Sequence, residues 1–137
     1  MSRRFNTEED MLKYLSQYRH AYYMEIALEA QLTTIHSPSF GGLPSDNHTE
    51  TAERWNEKIQ RKDEYNQLME SIREDIKLLY DPFDSISYTI MWHKFVDFKT
   101  LEEIALMTHY SLSHIKNKLY PKAKLDLFRL LTDDSTK

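Results

Sequence analysis

The chain has 137 residues, 29% charged and 40% hydrophobic, with a formal net charge of −4. That is enough for one domain or two very small ones of a soluble protein. Two Gly and four Pro leave little turn chemistry for strands, so the predicted fold is all-α. The absence of Cys excludes disulfides and Cys-ligated zinc, and it fits a reducing cytoplasm. No apolar run is long enough to span a membrane, and MSRRFNTEEDM lacks the apolar core of a signal peptide.

The first predicted helix covers residues 7–35. Thr7 can cap it, and Glu8, Glu9 and Asp10 in the first turn suit the helix dipole. Its apolar positions include Leu12, Leu15, Tyr18, Tyr22, Ile26, Leu28, Leu32 and Ile35. The segment HSPSFGGLPSDN, rich in Pro, Gly and Ser, then predicts a loop over residues 36–48. A second long helix is expected over residues 49–80. Its stripe of Ala52, Trp55, Ile59, Lys62, Tyr65, Met69, Ile72, Ile76 and Leu79 has coiled-coil spacing with one irregular step at Lys62. Two such helices should pair antiparallel, giving a hairpin arm over residues 1–81. A bare pair would leave much of Tyr18, Tyr22 and Trp55 exposed, so a homo-oligomer through the arm is expected.

Asp81-Pro82-Phe83-Asp84 ends the arm, because Pro82 cannot continue a helix. A second domain, residues 82–137, follows. A helix near residues 85–96, capped by Asp84 or Ser85, should pack Ile86, Ile90, Met91, Phe95 and Phe98 inward, with Trp92 in the core in preference to the alternative, the seam with the arm. Beyond it, KTLEEIALMTHYSLSHIKNKLYPKAKL reads as two helices joined by a tight turn, a helix-turn-helix. Thr100 and Glu103 have the spacing of a capping box, and Ser111 is a second N-cap. Ala105 is small where a second helix would cross. His109 stands where Gly is common, a position needing positive φ, and Tyr110 should tuck between the helices. Pro121 predicts a kink near Tyr120.

Charge separates the two halves. Residues 1–85 sum to −6 and residues 86–137 to +2. From Ser111 to Leu125 there are four Lys and no acidic residue, unlike a solvated face of mixed sign. In helix-turn-helix docking the start of the second helix meets base edges while flanking cations hold phosphates. The base-facing candidates are therefore Leu112, Ser113, His114 and Asn117. The amide of Asn117 can pair bidentately with adenine, and Leu112 can meet a thymine methyl. Lys116, Lys118, Lys122 and Lys124 are the phosphate candidates. The partner expected on this pattern is double-stranded DNA.

Glu103, Ile104, Ala105, Ser111, Ile115, Lys116 and the Lys118-Leu119-Tyr120 triplet resemble region four of bacterial sigma factors over residues 90–125. With the helical pair ahead of it, the whole pattern resembles the small late-transcription regulators of Gram-positive phages and prophages (the ArpU and RinA type), in particular a streptococcal-phage branch. His109, Lys118 and Pro121 depart from the common motif. The resemblance implies a transcription regulator in the host cytoplasm whose arm self-associates or docks on RNA polymerase.

Nothing in the motifs points to an enzyme. There is no Gly-rich phosphate loop, no HExxH and no Cys nucleophile, and no cofactor or metal is expected. The carboxylates between Glu50 and Asp75 interleave with Arg and Lys as on a solvated helix. The rival readings are a helical protein-binding adaptor and a phage packaging subunit of small-terminase type.

Overall fold

A computed structural model describes residues 4–35 and 52–132. The loop expected over 36–48 and the tail after residue 132 lie outside the described residues. Every regular element among the described residues is helical: α1 (Glu8–Ile35), α2 (Ala52–Lys77), α3 (Ile86–Phe95), α4 (Leu101–Thr108), α5 (Leu112–His114), a π-helical turn (Ile115–Leu119) and α6 (Tyr120–Thr132). No described helix is long and apolar enough to cross a membrane. The chain divides into two compact units, Met1–Arg19 with Glu70–Lys137, and His20–Met69.

In the first unit, the opening turns of α1 run antiparallel to the end of α2. Thr7 starts α1 as its composition predicts, its Oγ1 accepting from the Asp10 amide at 3.1 Å. Asp75 then gathers the contacts between the two helices. It accepts two bonds from the Arg4 guanidinium, at 3.1 and 3.0 Å, and one from the Tyr14 hydroxyl at 2.7 Å. Burial pushes the Tyr14 phenol above its ordinary range. Arg73 donates to the Tyr18 hydroxyl at 2.8 Å, and the Tyr18 ring meets Phe98. Tyr18 is thus buried, contrary to the exposure expected of it.

The inward face of α1 differs from the expected stripe. Met11, Leu15, Tyr18, Ala21 and Leu28 are buried, while Tyr22 and Ile26 are exposed. Small Ala21 takes the inward position, which rotates Tyr22 and its neighbour Tyr23 outward. In the His20–Met69 unit the helices are again antiparallel, with the His20 ring against Tyr65 and Lys62 reaching Glu25 and Glu29 at 3.3 Å each. Those two ion pairs explain the irregular step in the α2 stripe: the cation at its centre faces two carboxylates. They hold the Lys62 ammonium above its usual range.

After α2 the chain tightens through i→i+3 bonds, Leu78 to Asp75, Leu79 to Ile76 and Tyr80 to Lys77, before Pro82. α3 packs along α6 and touches α4. Ile90 and Met91 are fully buried on it and Phe95 nearly so, as the spacing predicts. Trp92 does not join them. It is half-buried at the end of a row of rings, 5.7 Å from Tyr88, which lies 5.7 Å from Tyr80. One residue past Met91, its position turns it away from the core toward that aromatic row.

Candidate nucleic-acid interface

The segment from Thr100 to Tyr120 is built by local chemistry. Thr100 is extended (φ −79°, ψ 163°), its Oγ1 accepting from the Glu103 amide at 3.1 Å, while its own amide donates to Glu103 Oε1 at 2.9 Å. The capping box is complete. α4 then buries Ile104 and Ala105. His109 closes it in the left-handed region (φ 65°, ψ 24°), the geometry its position requires. Ser111 is extended again and its Oγ accepts from the His114 amide at 3.0 Å, opening α5. Ile90, Ile104, Ala105 and Ile115 form one buried cluster, with Ile86, Leu101, Leu119 and Tyr120 packed on it.

Tyr110 does not fill the angle between α4 and α5. It is 42% exposed and its ring lies 5.4 Å from His114, because Ile104, Ala105 and Ile115 already occupy the interior.

The helix beginning at α5 widens before Pro121. Residues Ile115–Leu119 form a π-turn, and the Tyr120 amide reaches back five residues to the Ile115 carbonyl. In an α-helix the Pro121 ring would press on the Asn117 carbonyl, and a wider turn moves that carbonyl away. The turn serves the packing too. Ile115, Leu119, Ala123, Leu127 and Leu131 recur strictly every four residues and are buried or half-buried. Over sixteen residues such a stripe drifts about 160° around an ideal α-helix, and an extra residue in one turn takes up part of that drift. The expected kink near Tyr120 is therefore a change of helix type in the turn before it.

The eight residues singled out from the sequence fall into two groups. Leu112, Ser113, Lys116, Asn117 and Lys118 are all exposed on the first turns of this helix, with His114 half-buried among them. Asn117 Nδ2 donates to Ser113 Oγ at 3.2 Å. Lys116 and Lys118 have no ion-pair partner among the described residues. Lys122 and Lys124 are engaged elsewhere. Lys122 pairs with Asp126 at 2.8 Å, which raises its ammonium pKa, and Lys124 lies over the Tyr120 ring at 4.6 Å. Lys94 of α3 lies 5.7 Å from the same ring. Its nearness to the second helix escaped sequence reasoning, since only the packing of α3 on α6 brings it there. Among the described residues no three His, Asp or Glu side chains converge as metal ligands would.

No protein-family model matches the chain, and no significant match was found among curated proteins or solved structures.

Proposed function

We propose that the chain is a DNA-binding transcription regulator of the phage type, with α4 and the helix from Leu112 as a helix-turn-helix. One observation carries this reading. Two N-capped helices joined by the left-handed His109 share one apolar cluster, and the outer side of the second keeps Ser113, Asn117, Lys116 and Lys118 exposed. Those are the side chains a helix needs to meet base edges and phosphates. Leu112, Ser113, His114 and Asn117 are cast as base-facing, and Lys116 and Lys118 as the principal phosphate anchors. Lys122 and Lys124, already engaged, contribute less. The His20–Met69 helices, with Tyr22, Tyr23, Ile26 and Ile59 exposed, then serve self-association or docking on RNA polymerase.

Fluorescence anisotropy with a labelled duplex tests the reading. Wild-type protein should bind with strong salt dependence, and Lys116→Ala with Lys118→Ala should lower affinity for any sequence and flatten the salt slope by about two. The adaptor reading draws on Leu106, 78% exposed on α4 beside Met107, as a protein-contacting surface. It predicts no duplex affinity at all.

A further inference from the structure

Lys94 and Lys124 come from different helices, α3 and α6, yet both lie over the Tyr120 ring, 5.7 and 4.6 Å from its centre. Neither ammonium has an ion-pair partner among the described residues. A cation on a ring face keeps its whole charge, because the ring offers a quadrupole and no anion. One acid, Glu8, lies close enough to act on the Tyr120 phenol, and it pairs with neither lysine.

The helix that begins at Leu112 sorts its polar side chains into two rows. Its inward residues Ile115, Leu119, Ala123 and Leu127 stand four apart. Lys116, Tyr120 and Lys124 each follow an inward residue by one and so share one flank. His114, Lys118 and Lys122 each precede one and share the other flank. Ser113 and Asn117, two positions from the inward residues, fall between the rows.

We infer that Lys94 and Lys124, held on the Tyr120 ring, form a second phosphate anchor for one strand of a DNA duplex, continuing the row that Lys116 opens. The inference rests on the DNA reading of the same helix. A helix seated in the major groove runs between two phosphate strands, so each flank meets a strand while the centre meets base edges. The two flanks differ in the anions their cations already have. On one, Lys122 pairs with Asp126 at 2.8 Å and lines a cleft of about 500 Å³ together with Asp81, Asp84 and Arg129. Three acids offset two cations there. On the other, Lys116, Lys124 and Lys94 stand against Glu8 alone, and that surplus of positive charge suits a phosphate backbone. Lys124 on its own is restrained by the ring, but Lys94 beside it doubles the charge at one place. Both ammonium groups already rest on a half-buried side chain, so little freedom is lost on binding. Sequence reasoning had no means of finding the anchor, because Lys94 belongs to the supporting helix.

The test is the salt dependence of duplex binding by the full chain, read by fluorescence anisotropy on preferred and scrambled sequences. Lys94→Gln should weaken both complexes equally, by about threefold to tenfold at about 0.1 M salt, and reduce the salt slope by about one. Lys124→Gln should act in the same direction. Lys94→Arg keeps the charge and should keep the slope, which a merely structural role for the lysine stem would not require. Lys77→Gln removes a cation at the end of α2, 3.6 Å from Glu74, and should leave the slope as it is. An unchanged slope in either Lys94→Gln or Lys124→Gln would overturn the inference, and so would an equal fall in Lys77→Gln, which would assign the effect to net charge. If Lys116→Ala weakens binding while Lys94→Gln does not, the DNA reading stands and the second anchor alone is lost. Wild type without salt-dependent duplex binding would defeat both together and leave these cations to an acidic protein partner.

Discussion

Asn117 Nδ2 donates to Ser113 Oγ at 3.2 Å, one turn back along the same exposed helical face. The bond fixes which way the amide points without burying it. On the proposed function, Asn117→Ala should cost about 1–3 kcal/mol on the preferred duplex and nothing on scrambled sequence. Ser113→Ala should cost less, since the amide remains but loses its orientation. Competition anisotropy with the two duplexes measures both. Equal losses on both duplexes would recast Asn117 as a backbone contact.

The left-handed turn at His109 offers a test of stability separate from binding. His tolerates φ of 65° better than most residues, but Gly adopts it without a Cβ penalty. His109→Gly should leave stability unchanged or raise it by roughly 1 kcal/mol, whereas His109→Val should lower it by about 1–2 kcal/mol. Urea unfolding distinguishes them. Indistinguishable midpoints would show that the turn relaxes to another geometry.

Neighbouring positions on α4 should differ sharply. Ile104 is fully buried in the cluster with Ile90 and Ile115, and Ile104→Ala should cost about 2–5 kcal/mol. Leu106 is 78% exposed, and Leu106→Ala should stay within roughly 0.5 kcal/mol. If Leu106→Ala proved as costly, α4 would have to be rotated from the orientation described.

Tyr120 predicts an alkaline loss of stability. Burial, reinforced by the negative charge of Glu8, pushes its phenol up to about 12 from an ordinary 10.0. The folded state therefore favours the neutral ring. That contribution is complete below about pH 10, where the unfolded chain also keeps its proton, and it fades as pH rises through about 12. Tyr120→Phe keeps the ring on which Lys94 and Lys124 lie and should remove this part of the alkaline slope. Subtracting the phenolate titration of the variant from that of wild type isolates the group. A difference curve centred at the ordinary tyrosine value would contradict the burial.

Sequence alone determined what neighbours along the chain control. Thr7, the Thr100–Glu103 box, His109 and Ser111 each act within four residues, so helix starts and stops were legible without knowing what packs where. The inward positions Ile90, Ile104 and Ile115 were legible too, because helical spacing leaves them little choice. Tertiary packing decided the rest. Nothing local distinguishes Ala21 from Tyr22 as the inward residue, or places Tyr110 outside and Trp92 half-outside the core. Lys122, Lys124 and Lys94 look alike in sequence. Only the packing of α3 on α6 brings Lys94 to the Tyr120 ring, and only the segment that follows α2, residues 78–84, makes Lys122 part of a cleft. Periodicity states that a face is apolar or charged, whereas its occupant depends on side chains far away in the chain.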